Sequence, residues 1–321
     1  MSSRIRNLVI SVPTQELADS LAPLPEGVEV IVWAMDAAAP RDRFDMVVPP
    51  YMSMGRVFEH LDGIEVGLIQ SQSIGYDGVT GLMPPGVRFA NASSVHETST
   101  AELAVGLAIA AQRLLPQFVL AQAEGRWAPA FAESLADRRV LVIGYGGVGK
   151  AVRARLEPFE VEITAVASSA RVEDGVHVHG VDELPELLPH AEIVILTLPG
   201  GEATRHIVDD AFLSALPDGA LVVNVGRGSL VDTHALVAHL QRGRIRAALD
   251  VTEPEPLPED HPLWSLPGAL IVPHVGGASS AMKSRIARLV RTQMERLIAS
   301  EAPLNVVIGE SSGMDRRPAH E

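Results

Sequence analysis

The stretch that most limits what this chain can fold into is Val140-Leu-Val-Ile-Gly144-Tyr145-Gly146-Gly147-Val148-Gly149-Lys150. An apolar strand-like run ends there in glycines spaced GxGxxG, and a helix-like segment follows. A further strand candidate at residues 162–167 completes a βαβ pattern. In that context Gly144 makes the tight turn and Gly146 lets backbone approach a pyrophosphate. Gly149 lets the helix pack closely on the strand, and the helix N–H groups hold the phosphate charge. Residues 144–149 are therefore expected to bind a dinucleotide.

Around this unit the chain reads as an α/β series. Strand candidates lie at residues 8–12, 28–33, 46–48 and 66–70, then at 140–143, 162–167, 193–198, 221–225, 247–250 and 270–272. With 321 residues, more than one hydrophobic core usually supports, two domains are expected. Between the two strand series, Ser99-Thr-Ala-Glu102 fits a capping box at a helix start. The helix it opens, through about Arg113, is apolar nearly all round, so it is buried in a core or against a second copy of the chain. A later helix runs from the expected N-cap Asp232 to Gly243. The segment at 279–300 reads as one long amphipathic helix whose Arg285, Arg288, Arg291 and Arg296 form a solvated face. Residues 309–321 are polar and aperiodic and are expected to lack fixed structure.

Composition removes several classes. The formal net charge of −14 argues against a nucleic-acid partner. No apolar run reaches membrane-spanning length and no secretory leader is recognisable, so a cytoplasmic protein with no membrane contact is expected. With no cysteine there is no disulfide and no thiolate chemistry. His177 and His179 alternate as on a strand, but no carboxylate or cysteine pattern accompanies them, so no metal site is expected. His96, His206, His234 and His261 read as ordinary surface or core residues.

The cofactor type turns on the end of the second strand. An acid there would favour the free ribose hydroxyl of NAD. This chain instead has Ala167-Ser168-Ser169-Ala-Arg171, with Glu173 and Asp174 further along an expected loop. Hydroxyls and an arginine can accommodate a 2′-phosphate, so the expected cofactor is NADP or NAD, with NADP favoured.

Three successive strand ends carry further chemistry. Arg227 follows the strand at 221–225, Glu253 and Glu255 follow that at 247–250, and His274 follows that at 270–272. Open α/β sheets bind ligands at such ends. Reducing a 2-keto acid needs a cation for the carboxylate and carbonyl, an acid to protonate the developing alkoxide, and a group that keeps the acid charged. Arginine, histidine and glutamate meet those needs.

The runs at 144–149, 223–232 (VNVGRGSLVD), 248–258 (ALDVTEPEPLP), 261–264 (HPLW) and 273–277 (PHVGG), in this order, resemble the D-isomer-specific 2-hydroxyacid dehydrogenase family over nearly the whole chain. The resemblance implies that Arg227 binds substrate, His274 is the acid/base, and Glu255 rather than the nearby Glu253 orients and charges it. It also implies that Asp250 contacts the nicotinamide carboxamide and that Thr197, Leu198 and Pro199 wall the cofactor. Val225, Gly226, Gly276 and Gly277 are expected at the cofactor too. Ser73, Ile74 and Gly75 resemble a loop whose backbone N–H groups hold the substrate carboxylate, with Tyr51 as a further pocket residue. The implied fold is two Rossmann-like, doubly wound parallel-sheet domains. The substrate domain would be discontinuous, residues 1–98 plus 285–308, flanking a dinucleotide domain at 99–284 with the active site in a hinged cleft. A homodimer is implied.

The activity expected is that of a glyoxylate- or hydroxypyruvate-type reductase acting on a small 2-keto or D-2-hydroxy acid. Phosphite and phosphoglycerate oxidation remain open alternatives, as does a dinucleotide-sensing binding protein on the same fold. A formate-type dehydrogenase is disfavoured because an amide would stand where Glu255 does.

Overall fold

A computed structural model describes residues 7–309 apart from Met54. The tail expected at 309–321 lies, beyond Gly309, outside the described residues. Two compact units are present, Met1–His96 with Ser279–Glu321, and Glu97–Ala278.

The first unit opens with β1 (Leu8–Val12), α1 (Gln15–Ser20), β2 (Val28–Val32), β3 (Arg43–Phe44), β4 (Met46–Val47), β5 (Glu65–Val66), β6 (Leu68–Gln70) and β7 (Arg88–Ala90). β7, β6, β4, β1 and β2 lie side by side in that order, all parallel. The single strand expected at 66–70 is broken at Gly67. Its amide donates to Phe44 O, and a Cβ there would stand 2.8 Å from the Asp45 carbonyl oxygen. The chain therefore pairs with β3 before the break and with β4 after it.

The second unit contains α2 (Glu97–Gln112), α3 (Leu115–Ala123), β8 (Arg139–Ile143), α4 (Gly147–Leu156), β9 (Glu162–Ala167), β10 (Arg171–Glu173), β11 (Val176–Gly180), α5 (Leu184–Leu187), β12 (Ile193–Leu196), α6 (Asp210–Ala215), β13 (Leu221–Asn224), α7 (Thr233–Gln241), β14 (Arg246–Leu249) and β15 (Ala269–Ile271). Its sheet runs β10-β11-β9-β8-β12-β13-β14-β15, parallel except for the β10–β11 hairpin. The sheet is covered on both faces, which is why its central strands are continuously apolar. Along β12, Ile193 and Ile195 pack with α2 and α4, whereas Val194 and Leu196 pack with α6 and α7.

This packing accounts for α2. Ala101, Ala104, Val105, Leu107 and Ala108 all enter the core of the chain itself. The helix starts at Glu97, so the Ser99–Glu102 box expected at its start lies inside it. The turn before it, with Ser94 at φ 79°, reverses the chain earlier than the capping pattern suggests. By contrast α7 begins as the sequence implies, with Asp232 accepting from His234 N and Ala235 N and left-handed Gly243 just past its end.

The chain then returns to the first unit through α8 (Ser280–Ile298) and β16 (Val306–Ile308), which adds antiparallel to β7. Ile286, Leu289, Val290 and Met294 of α8 pack on Ile10, Met46 and Leu68. Buried Gln293 donates to Gln70 Oε1 at 2.7 Å and to Leu304 O at 2.9 Å. The helix packs as one piece, so the boundary falls before it, at 278/279, rather than inside it at 284/285. Its arginines do more than face solvent. Arg285 reaches Val95 O, Arg291 reaches Pro23 O, and Arg296 binds Ala302 O. Among the described residues no single helix is long and apolar enough to cross a membrane.

Candidate active site

The glycine loop lies between β8 and α4, at a strand end facing a helix start. Gly144 has φ +102°, a conformation that disfavours any residue with a Cβ. At Gly149 a Cβ would stand 1.9 Å from Gly144 O, so only glycine lets α4 approach the strand this closely. A Cβ at Gly146, by contrast, would meet no atom within 4 Å. Open space over Gly146, beside the N-terminal amides of α4, suits a pyrophosphate. These residues fit a dinucleotide.

Thr197 and Leu198 close on the loop. Thr197 Oγ1 donates to Gly144 O at 2.7 Å, and a Cβ on Gly226 would lie 2.6 Å from Leu198 O. Of the expected wall residues, Thr197 and Leu198 thus meet the loop, with Gly226 against Leu198. Tyr145 is different: it packs with Ala165 and Val178, and burial raises its phenol above the ordinary range.

Beyond the end of β9, the structure corrects one expectation. Glu173 is not on a loop but on β10, where its Oε2 accepts from Arg171 Nη2 at 2.8 Å and Nε at 3.0 Å. Lys150 binds its other oxygen. These two cations, Lys150 first, hold the Glu173 carboxyl below its usual range.

The expected chemical residues gather at the ends of β13, β14 and β15. Arg227 is held through its backbone, since Asn224 Nδ2 donates to Arg227 O at 2.8 Å and Asn224 Oδ1 accepts from Gly226 N at 3.0 Å. Asp250 is 3% exposed, and its two oxygens accept from Val275 N at 2.6 Å and Gly276 N at 3.0 Å. Burial raises its carboxyl against those amides. Asp250 therefore anchors the turn that presents His274, a role its motif alone did not suggest. His274 itself sits at φ 52°, in the left-handed region, and its amide donates to Asp250 O at 2.8 Å. Strained residues of this kind concentrate at functional sites.

His274 Nδ1 is hydrogen-bonded to Glu255 Oε1. That carboxylate raises the imidazole above its ordinary range, against burial, which lowers it. Asp250 adds to the rise and the Arg227 guanidinium opposes it, so all three charged groups act on one imidazole.

Two acids two residues apart are sorted by their partners. Glu255 belongs to His274, whereas Glu253 binds Arg205 Nη1 at 2.8 Å and His206 Nε2 at 2.6 Å. The hydrogen bond from His206 comes first in holding Glu253 below its usual range. His206, read from sequence as an isolated histidine, thus braces the loop that carries Glu255.

Ser73, Ile74, Gly75 and Tyr51 lie in the first unit. The Ser73 amide is already bonded to Ser71 Oγ at 2.9 Å, and Asn91 Nδ2 donates to Ile74 O at 2.9 Å. Tyr51 stacks on His96 at a ring separation of 5.5 Å. His96 is buried, with Nε2 2.6 Å from Gln72 O.

Comparison with known proteins gives the family. Residues 105–276 match the model of the D-isomer specific 2-hydroxyacid dehydrogenase NAD-binding domain. The chain belongs to the D-isomer specific 2-hydroxyacid dehydrogenase family. A glyoxylate reductase of Korarchaeum cryptofilum is 32% identical over 251 residues, 75% of each chain. A family member from Xanthobacter autotrophicus Py2, solved with NADPH, superposes with TM-score 0.78 at 27% identity, covering 94% of this chain and 98% of that one. An NADPH-dependent glyoxylate/hydroxypyruvate reductase of Sinorhizobium meliloti, solved with NADP and malonate, gives TM-score 0.77 at 29% identity, covering 94% and 97%. This dehydrogenase is a nicotinamide-dependent 2-hydroxyacid oxidoreductase.

Proposed function

We propose that the enzyme reduces a small 2-keto acid of the glyoxylate or hydroxypyruvate type with NADPH. The observation that carries the acid–base part is the His274–Glu255 hydrogen bond on a turn anchored by buried Asp250. The nicotinamide cofactor, when bound, supplies the hydride. His274 Nε2 protonates the oxygen that becomes the alkoxide, and Glu255 keeps the imidazole charged for that step. Arg227 holds the substrate carboxylate and polarises the carbonyl. Among the expected backbone donors at 73–75, the Ser73 amide is engaged with Ser71 Oγ.

The preference for NADPH rests on the empty acid position at Ala167, followed by Ser168, Ser169 and Arg171. Glu173 does not replace that acid, because Arg171 and Lys150 occupy both of its oxygens. Two cations against one carboxylate leave an excess positive charge for a 2′-phosphate. Both solved relatives described above carry the phosphorylated cofactor. The test is cofactor oxidation with glyoxylate, hydroxypyruvate and larger keto acids, using NADPH and NADH in turn. NADPH is expected to be more efficient by roughly tenfold or more, the worth of a charge-assisted phosphate contact. Arg171→Ala should remove most of that ratio by raising the KM for NADPH alone. A higher efficiency with NADH would contradict the cofactor assignment, and no turnover with any keto acid would contradict the substrate class.

A homodimer is the proposed assembly. Trp127 and Phe131 are 96% and 107% exposed, and Val119 and Leu120 of α3 are also exposed. Large apolar side chains left this exposed favour burial against a second surface. Trp127→Ser with Phe131→Ser should shift the protein from dimer to monomer in sedimentation analysis. A wild-type monomer would refute the proposal.

A further inference from the structure

The β10–β11 edge of the dinucleotide unit carries a side-chain cluster used by neither the glycine loop nor the residues around His274. His177 and His179 of β11 share one face of the strand, because side chains alternate, while Val178 between them is fully buried. Their rings meet edge to face, with centroids 4.3 Å apart. Beyond Gly180 the chain makes a short helical turn, Val181–Glu183, that brings Glu183 back to the strand. One Glu183 oxygen accepts from Gly180 N–H at 2.7 Å, and the other lies 2.7 Å from His179 Nδ1. A nitrogen of each imidazole and an oxygen of Glu183 lie within 4.8 Å of one another.

We infer that His177, His179 and Glu183 form a binding site for a divalent transition-metal ion of the zinc class. Zinc takes imidazole nitrogen and carboxylate oxygen at ~2.0–2.2 Å, so neighbouring donors in a tetrahedral set stand roughly 3.3–3.6 Å apart. A bound ion would therefore part His179 Nδ1 and Glu183, now 2.7 Å apart, and draw in the donors that stand further off, a change that side chains not fully buried can make by rotation. Two nitrogens and one oxygen suit zinc, nickel or copper(II), and not magnesium or calcium, which prefer oxygen throughout. The Gly180 N–H fixes the carboxylate from behind, as outer partners do at metal sites. A simple surface ion pair explains His179 and Glu183 but gives His177 no part. Gly180 pairs with Ala167 of β9, so a bound ion would tie the turn after β11 to the strand beside the proposed 2′-phosphate loop.

The sequence alone withheld this site because the carboxylate comes from the turn after the strand rather than from a familiar spacing. The test is calorimetric titration of the chelator-treated, tag-free full-length enzyme with Zn²⁺ alone. One ion per chain is expected, retained in His274→Ala, which excludes binding at the active-site histidine. The His177→Ala/His179→Ala variant should lose that ion, and Glu183→Gln should weaken it at least about tenfold. NADPH affinity measured on the same samples reports that the variants are folded. Absence of zinc binding to the wild type, or an unchanged isotherm in the folded double variant, would overturn the inference.

Discussion

Replacing His274 by alanine is expected to lower kcat/KM for keto-acid reduction by ~10²–10⁴-fold, the usual worth of a positioned acid. The loss should fall mainly on kcat, since the imidazole acts on the oxygen only as charge develops there. Cofactor affinity should change little, because the pyrophosphate is expected at the glycine loop, which the substitution leaves in place. The fold should hold as well. The turn at 273–277 is fixed by Asp250 through the Val275 and Gly276 amides, which the substitution leaves in place. Steady-state kinetics with NADPH, beside cofactor titration by fluorescence, separates these effects. Turnover near that of the wild type would remove His274 from the chemistry.

Arg227→Gln is expected to cost ~10²–10³-fold in kcat/KM, the range seen when one donor to a developing oxyanion is removed. Here both KM and kcat should suffer, because the same guanidinium meets the carboxylate in the ground state and the carbonyl oxygen in the transition state. Arg227→Lys should recover only part of the loss, since an ammonium keeps the charge but not the planar fork. A full recovery by lysine would mean that Arg227 serves as a point charge alone.

Much of this site could be read from the chain before any coordinates, for physical reasons that differ along its length. Gly144 and Gly149 are legible because backbone conformation and close packing exclude other residues there, and such exclusion is local in sequence. Strands β8, β9, β12, β13 and β14 are legible because a sheet covered on both faces needs unbroken apolar runs. Arg227 and His274 follow from their places just after β13 and β15, whereas Glu255 is told from Glu253 only by the family resemblance. What escaped depends on contacts between distant segments. Nothing in the spacing links His206 to Glu253 across 47 positions, or Lys150 to Glu173 across 23. The short strands β10 and β16 carry too few residues for a period to emerge. The break at Gly67 needs the Asp45 carbonyl to be in place, and only the folded chain supplies it.

The pKa relations around His274 make the chemistry testable in one assay. The imidazole is raised by Glu255 first and by Asp250 after it, and lowered by burial and by Arg227. Reduction needs the protonated ring, so kcat/KM for a keto acid should be level at lower pH and fall tenfold per unit above the raised pKa. Oxidation of the hydroxy acid needs the neutral ring and should mirror that profile. Glu255→Gln removes the largest raising influence and should move the alkaline limb to lower pH. Arg227→Gln removes a lowering influence and should move it to higher pH. The decisive measurement is therefore the pH dependence of kcat/KM for glyoxylate reduction in wild type, Glu255→Gln and Arg227→Gln. Opposite displacements of the alkaline limb are the expected result. A limb that stays in place in both variants would show that His274 is not the proton donor.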